Sequence, residues 1–223
     1  MEPHAGQPVV TAGASLSEAG AAMIMVHGRN AGPRNILELV PFVDPDGPDR
    51  PARPPARPGF AYLAPGAANN TWYPYSFMAD TARNEPGLSS GLQVIRDLVA
   101  DVVTRGIPKA RIVLLGFSQG ACLTSEFAVR HAGRYGGIIV FSGGLIGPPG
   151  TTWSHPGSFD GTPVFLGCSD VDAHVPKTRV DESAEVFRRM GAAVTERIYP
   201  AMGHLVNDDE MLFARTLMNH VLA

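Results

Sequence analysis

The sequence has little cysteine, little charge and no block of like charges. Its 223 residues include two cysteines, Cys122 and Cys168, which are too few for a disulfide framework. Both lie in apolar surroundings and are expected to be reduced packing residues. Charged residues make up 17% of the chain, and the formal net charge is −3. This balance argues against a nucleic acid or an anionic membrane as partner, so a small molecule is expected instead.

Signals for export and for membrane insertion are also missing. The first twenty residues contain no lysine or arginine and no continuous apolar core, so they do not resemble a signal peptide. No apolar run approaches the ~20 residues that a membrane-spanning helix needs. The sequence therefore predicts a cytoplasmic protein without stable membrane insertion.

What the chain does have is the composition of a globular protein and an alternation of two patterns. Hydrophobic residues make up 44%, and the length suits one domain over residues 1–223, with 1–20 as an edge strand or a loosely ordered tail. Short runs rich in β-branched residues predict strands, and longer stretches with helical spacing predict helices. The predicted strands are 21–26, 60–64, 111–115, 137–141, 162–166 and 193–199, and the predicted helices are 33–43, 88–104, 119–131, 181–190 and 208–222.

This alternation predicts an α/β fold with a mostly parallel central sheet, helices on both faces and no large cap domain. The proline-dense segment 44–58 is expected to be an irregular surface loop. In such sheets, functional sites lie outside the carboxyl ends of the strands, so the chemistry is expected where strands end.

Residues 116–120 read Gly-Phe-Ser-Gln-Gly and lie between a predicted strand and a predicted helix. A serine between two glycines at such a turn is typical of the nucleophile elbow of the α/β-hydrolase fold. The turn is too tight for large side chains at Gly116 and Gly120, and it holds the serine in a strained conformation with its hydroxyl exposed. We therefore predict that Ser118 is the nucleophile of a serine hydrolase.

The serine needs a base, and in this fold the chain order is serine, acid, histidine. Of seven histidines, only His204 follows a predicted strand downstream of a suitable acid. The acid is expected after the fifth strand, where both Asp170 and Asp172 stand. One of them orients the imidazole and the other caps a helix or braces the loop. Spacing alone does not choose between the two aspartates.

The negatively charged oxygen of the intermediate needs two preset backbone N–H donors. One is expected from Gln119, the residue after the nucleophile. The other is expected from Arg29, in the loop after the first buried strand, residues 27–32, which reads His-Gly-Arg-Asn-Ala-Gly. We call these six residues the oxyanion loop. The side chain of Arg29 is expected to face solvent, with an anionic substrate group as the alternative, and His27 is expected to brace the loop rather than to act as a second base.

Four ordered motifs together resemble the phospholipase/carboxylesterase family of α/β-hydrolases, which includes small bacterial carboxylesterases and acyl-protein thioesterases. They are His-Gly after the first core strand, Gly-Phe-Ser-Gln-Gly, Asp-x-x-Val-Pro at residues 172–176, and the late Gly-His. The resemblance runs from about residue 22 to the end of the chain. It implies Asp172 as the acid beside Ser118 and His204, and Arg29 and Gln119 at the oxyanion hole. The sequence departs from the family at Arg29, where an apolar residue is common, and over residues 41–84.

Substrate contacts are expected from two loops and from a residue beside the base. Residues 69–77, here called the aromatic loop, read Asn-Asn-Thr-Trp-Tyr-Pro-Tyr-Ser-Phe. Their rings are expected either to wall the acyl pocket or to pin the loop to the core. Residues 143–147 resemble the acyl-facing loop of the family. The candidate substrate-binding residues are Trp72, Tyr73, Leu145, Ile146 and Met202.

The predicted activity is that of a serine carboxylesterase acting on small to medium acyl esters, with no metal and no organic cofactor. An acyl-protein thioesterase or a lysophospholipase is the alternative. A serine peptidase is less favoured because 223 residues leave no room for a large cap. A non-catalytic binding module is less favoured because all three triad positions hold competent residues. A homodimer is compatible with the apolar loops around the site, although no feature of the sequence requires one.

Overall fold

The computed structural model describes residues 2–44 and 59–223, which form seven strands and six α-helices. The proline-dense segment predicted as a surface loop lies, apart from Asp44, outside the described residues. In chain order the elements are β1 Val9–Gly13, β2 Ala21–Val26, α1 Pro33–Leu37, α2 Val40–Val43, β3 Phe60–Pro65, α3 Gly87–Thr104, β4 Ile112–Phe117, α4 Gln119–Arg130, β5 Gly137–Phe141, β6 Pro163–Ser169, α5 Lys177–Arg189, β7 Ala193–Tyr199 and α6 Asp208–Leu222.

The strands form one sheet in the order β1-β3-β2-β4-β5-β6-β7. Only β1, at the edge, runs antiparallel to its neighbour among the described strands; all other pairs are parallel. The prediction of a mostly parallel α/β-hydrolase sheet is confirmed. Every residue of β2 is buried, as a strand covered on both faces requires.

Each face of the sheet is covered by its own apolar core. Alternate residues of β2 point to opposite faces, so Ile24 belongs to one core and Met23 to the other. Side chains of α3, α4 and α5 fill the first core, and those of α1, α2 and α6 fill the second. Within the described residues, no helix combines the length and apolarity needed to cross a bilayer.

Several predicted bounds differ from the structure: the helix predicted over 181–190 begins at Lys177, and two other differences have a clear physical reason. The single helix predicted over 33–43 is two short helices, because Pro41 lacks an N–H and its ring clashes with the carbonyl four residues earlier. Strand β6 continues three residues beyond its predicted end, since residues 167–169 pair with Arg197–Tyr199 of β7. This extension carries the chain directly to the loop that holds Asp170 and Asp172.

The sheet brings the oxyanion loop and the nucleophile turn together. Strand β2 lies between β3 and β4, so the strands that follow it in the chain are added on both of its sides. A crevice forms at the carboxyl ends of the strands at such a topological switch point. Val26, at the end of β2, pairs with Gly116 of β4. A Cβ atom placed on Gly28 would lie 3.4 Å from the Cβ of Ser118. The backbone at residue 28 therefore lies within van der Waals reach of the serine.

Helix α6 begins with a capping box three residues after His204. The side chain of Asn207 accepts the N–H of Glu210 at 3.0 Å, and the Glu210 carboxylate accepts the N–H of Asn207 at 2.9 Å. The second carboxylate oxygen of Glu210 is buried against Gly167 and has no hydrogen-bond partner among the described residues. Burial raises the pKa of Glu210 to about 7, and it outweighs the hydrogen bond from the Asn207 N–H, which lowers the pKa.

The raised pKa of Glu210 predicts that the folded state becomes less stable as the pH rises. The folded state keeps a proton that the unfolded chain releases above the ordinary carboxyl pKa, so stability is lost as pH rises from about 5 through about 7. Glu210→Gln preserves the capping box without the charge. We expect it to raise the free energy of unfolding by about 1–3 kcal/mol at pH 8 and to change it little at pH 5. Urea unfolding at both pH values measures the change in the free energy of unfolding, with Glu185→Gln at an exposed position as control. An equal change at both pH values would contradict the prediction.

Candidate active site

Ser118 lies at the sharp turn between β4 and α4 with backbone angles φ 56° and ψ −122°. A positive φ is costly for serine and persists only where the surroundings enforce it. The N–H of Ser118 donates to the carbonyl of Phe141 at 2.9 Å. A Cβ atom on Gly116 would come within 2.5 Å of the Gly120 carbonyl oxygen, and one on Gly120 would overlap the carbonyl of Val26. Both glycines are therefore required by the close packing of the turn.

His204 lies between Ser118 and Asp172 and contacts both. Its Nε2 is 2.8 Å from the Oγ of Ser118, and its Nδ1 is 2.7 Å from Oδ2 of Asp172. The Asp172 side chain is fully buried, whereas 21% of the His204 side chain is exposed. The other carboxylate oxygen of Asp172 accepts the N–H groups of His174 and Val175, at 2.8 and 3.0 Å. This arrangement matches the one expected of a nucleophile, its base and an acid behind the base.

Two opposing effects act on the pKa of Asp172. Burial raises the pKa, while hydrogen bonds from His204 and from the N–H groups of His174 and Val175 lower it, and the net shift is downward. The carboxyl group is therefore ionised at neutral pH and favours a proton on Nδ1 of His204. With the proton there, Nε2 has its lone pair free to accept the proton of the serine hydroxyl.

The structure separates the two candidate aspartates. Asp170 makes a different contact, because its Oδ1 accepts the N–H of Ala201 at 2.8 Å. The hydroxyl of the preceding Ser169 accepts the N–H of Gly203 at 3.0 Å. These two bonds hold the loop that carries His204 against the end of β6. Asp170 thus braces a loop, and Asp172 contacts the histidine.

The residues predicted as oxyanion donors line the same cavity as Ser118. Gln119 is the first residue of α4, where N–H groups have no intrahelical partner and the helix dipole provides positive potential. Arg29 follows Gly28, whose backbone approaches the serine. Of the predicted site residues, the structure brings together Ser118, His204, Arg29, Gln119 and, behind the base, Asp172.

The cavity has a volume of about 540 Å³ and opens over the serine and the histidine. Four aromatic side chains form much of its wall: Tyr73, Tyr75, Phe77 and Phe117. Cys122 lies on the same wall, and burial raises the pKa of its thiol to about 12, so it is not ionised at neutral pH. Both cysteines are free and buried.

Of the five predicted substrate-binding residues, only Tyr73 lies on the wall of the described cavity. Trp72 is fully buried instead, and its Nε1 donates to the carbonyl of His27 at 2.9 Å. Its ring also packs against those of His4 and His27, with centroids 5.2 and 5.0 Å apart. Trp72 therefore pins the aromatic loop to the core, the second of the two roles predicted for these rings.

The other three predicted contacts also lie off the cavity wall. Leu145 and Ile146 are buried, and their N–H groups donate to the hydroxyl of Ser183 and the carboxylate of Glu126. The sulfur of Met202 contacts the side-chain amide of Asn207 at 2.9 Å. None of these three residues lines the described cavity.

Three features of the site were not predicted. The rings of Phe117 and His174 pack on the ring of His204, with centroid distances of 5.1 and 4.8 Å. Phe117 precedes the nucleophile and His174 follows the acid by two residues, but sequence proximity does not reveal where a ring points. Arg29 is exposed, as expected, yet its guanidinium is not simply solvated: it donates to three carbonyl groups of the aromatic loop.

Comparison with known proteins identifies the family. The family model described as Phospholipase/Carboxylesterase matches residues 15–222. The crystal structure of a phospholipase/carboxylesterase from Dyadobacter fermentans is similar, with a TM-score of 0.88 and 38% identity over 100% of this chain and 99% of that one. Acyl-protein thioesterase 1 of Eremothecium gossypii is 29% identical over 177 residues, which cover 75% of this chain and 72% of that protein. Acyl-protein thioesterase 1 of Aspergillus fumigatus is 26% identical over 211 residues, which cover 88% of this chain and 86% of that protein. As its four motifs predicted, this chain belongs to the phospholipase/carboxylesterase family of hydrolases.

Proposed function

We propose that this protein is a serine carboxylesterase that hydrolyses small to medium acyl esters through an acyl-enzyme. One observation carries the proposal: a continuous hydrogen-bonded chain from Asp172 through His204 to Ser118, ending at a cavity. The distances of 2.7 and 2.8 Å along this chain suit proton transfer. Family membership supports a hydrolase, and the strained turn at Ser118 supports a nucleophilic role.

In the first half of the reaction, Nε2 of His204 takes the proton of the Ser118 hydroxyl as the oxygen attacks the ester carbonyl. The resulting oxyanion is stabilised by the backbone N–H groups of Arg29 and Gln119. The carboxylate of Asp172 stabilises the imidazolium. The C–O bond to the alcohol then breaks, and His204 returns the proton to the leaving oxygen.

In the second half, water takes the place of the alcohol. His204 removes a proton from the water, which attacks the acyl carbonyl of the ester formed on Ser118. The same two N–H donors stabilise the second oxyanion. The bond to the serine oxygen breaks, the proton returns from His204 to Ser118, and the carboxylic acid leaves.

The shape of the cavity supports small to medium acyl chains. Its volume of about 540 Å³ falls within the usual range for small-molecule sites. Its aromatic wall offers an apolar surface to an acyl chain, while the oxyanion loop leaves room for a carbonyl beside Ser118. The proposed partner is therefore a small-molecule ester.

Thioester hydrolysis is the second candidate, because two relatives are named acyl-protein thioesterase 1. The same nucleophile, base and oxyanion donors serve a thioester, and the leaving group becomes a thiol. The two activities differ in the acyl chain and leaving group that the cavity accepts.

A panel of acyl substrates tests the proposed activity. We expect kcat/KM on p-nitrophenyl esters to peak between acetate and octanoate and to fall for palmitate, with a matched anilide at least ~100-fold slower than its ester. A highest value on a palmitoyl thioester would favour the thioesterase, and an anilide as fast as its ester would favour a peptidase. Folded protein that turns over none of these substrates would contradict the proposal and leave a binding module.

A further inference from the structure

The side chains of both proposed oxyanion donors are held by the same short segment, the aromatic loop. We propose that the aromatic loop positions the oxyanion hole, and that Arg29 is the positioning residue that links the two. The inference rests on the proposed function, because it concerns how the donors of that site are held. It assigns to the guanidinium of Arg29 a task separate from that of its backbone N–H.

The guanidinium of Arg29 binds three consecutive carbonyl groups. Its Nη1 donates to Pro74 at 2.8 Å, and its Nη2 donates to Tyr73 at 3.0 Å and to Tyr75 at 2.8 Å. These are charge-assisted bonds, which are stronger than neutral ones. They occupy three of the five N–H groups of a planar, rigid donor, a pattern that the single ammonium of lysine does not reproduce. The side chain is thereby committed to the loop and restrains the backbone that carries the donor.

Gln119 is held by the neighbouring part of the same loop. Its Oε1 accepts the N–H of Trp72 at 3.0 Å, and its Nε2 donates to the carbonyl of Tyr73 at 2.8 Å. The carbonyl of Tyr73 therefore accepts hydrogen bonds from both Arg29 and Gln119. One backbone oxygen bridges the two residues whose N–H groups must converge on the substrate oxygen.

The aromatic loop is itself anchored, so it can act as a rigid bridge. Trp72 is buried and donates to the carbonyl of His27 in the oxyanion loop. The side chain of Asn84, fully buried, accepts the N–H of Tyr75 at 2.9 Å and donates to the carbonyl of Ser76 at 3.0 Å. These bonds fix both halves of the loop to the body of the protein.

His27 ties the oxyanion loop to the same region from its other end. Its Nδ1 donates to the carbonyl of Gly28 at 2.8 Å, and its Nε2 accepts the N–H of Ala67 at 3.2 Å. Burial lowers the pKa of His27, so the ring is neutral and can both donate and accept. The N–H of Asn30 adds a bond of 2.8 Å to the carbonyl of Asn70. The oxyanion loop is thus attached to the segment before and within the aromatic loop at several points.

Such an arrangement affects the transition state more than the bound substrate. Preset donors stabilise the oxyanion because they need no reorganisation when the charge develops. A small displacement of a donor can cost ~10²-fold in rate, while the acyl chain still binds the aromatic wall. Loosening the link is therefore expected to lower kcat and to leave KM nearly unchanged.

Arg29→Met tests the inference, because it keeps the backbone donor and removes the guanidinium. We expect kcat on p-nitrophenyl butyrate to fall about 10- to 100-fold with KM changed less than ~3-fold. Affinity for a trifluoromethyl ketone, which mimics the tetrahedral intermediate, should weaken by the same factor as kcat/KM. Arg83→Met is the matched control, since exposed Arg83 lies over the ring of Tyr75 at 4.4 Å and should leave both constants within ~2-fold.

Two further variants keep the test decisive if Arg29→Met does not fold. Arg29→Lys retains the charge without the planar set of N–H donors and should also lower kcat. Gln119→Met removes the two side-chain bonds from Gln119 to the aromatic loop and should do the same. If the wild type turns over the ester while these variants keep an unchanged kcat, or show only a raised KM, the inference is overturned and the proposed function stands. A loss confined to esters that carry a carboxylate would make Arg29 a substrate receptor and would also overturn it. No ester turnover by the wild type would remove the proposed function and this inference together.

Discussion

Replacing Ser118 by alanine is expected to lower ester turnover by at least about 10⁴-fold, because the proposed mechanism forms the acyl-enzyme on this hydroxyl. The residual rate comes from the oxyanion donors and from binding alone. Initial rates on p-nitrophenyl butyrate for wild type and Ser118→Ala measure the effect. The exposed Ser154→Ala is the control and should retain the wild-type rate.

The stability of the variant separates chemistry from folding. Alanine at φ 56° is as strained as serine, so the free energy of unfolding of Ser118→Ala is expected to lie within about 1 kcal/mol of the wild-type value. Ser118→Gly removes the hydroxyl and also suits the positive φ. It should be equally inactive and at least as stable as the wild type. More than about 1% residual turnover in either folded variant would contradict the role of Ser118.

Asp172→Asn is the second large effect, with kcat expected to fall about 10²- to 10⁴-fold. The amide cannot stabilise the imidazolium, and its NH₂ group can face Nδ1 of His204 as a donor, which favours the wrong tautomer. The variant keeps the size of the side chain, and its amide oxygen can still accept the N–H groups of His174 and Val175. The loss should therefore appear in kcat, measured on the same ester, with little change in KM.

The neighbouring aspartate provides the matched comparison. In Asp170→Asn the amide oxygen can still accept the N–H of Ala201, so the loop that carries His204 stays in place. We expect kcat to fall less than ~5-fold. If Asp170→Asn were the severely impaired variant and Asp172→Asn nearly normal, the acid of the triad would be Asp170.

The fold was predictable from sequence because its signals are local and strong. Apolar runs such as residues 21–26 leave few alternatives to a buried strand, and alternation with helical stretches leads to a parallel sheet. One boundary error was local and the other depended on a neighbouring strand. Pro41 divides the helix predicted over 33–43, and β6 gains three residues by pairing with β7, which no pattern within β6 itself indicates.

The candidate triad was predictable to a lesser degree. Ser118 stands in a motif whose glycines are dictated by close backbone packing, and His204 stands at the one suitable place after a strand. The choice between Asp170 and Asp172 did not follow from spacing, because both lie in the same loop after β6. It depends on which carboxylate turns toward the imidazole, and this is set by the hydrogen bonds to Ala201, His174 and Val175.

Substrate contacts were the least predictable part. Trp72 was a candidate substrate contact whose ring was expected either on the cavity wall or pinned to the core; it is buried, and its indole N–H donates to the carbonyl of His27. Leu145 and Ile146 are also buried, and their N–H groups donate to Ser183 and Glu126. The guanidinium of Arg29, expected in solvent, binds carbonyl groups some 45 residues away in the chain. Loop orientation of this kind depends on long-range hydrogen bonds that a linear pattern does not contain.

The most direct test of the proposed catalytic role is covalent labelling of the folded protein with a fluorophosphonate, followed by intact-mass measurement and peptide mapping. The reagent forms a stable bond only with an activated nucleophile, so we expect one label per chain, on the peptide containing Ser118, and none in Ser118→Ala. A label on another residue, or no label on folded wild type, would contradict the assignment of Ser118 as the activated nucleophile.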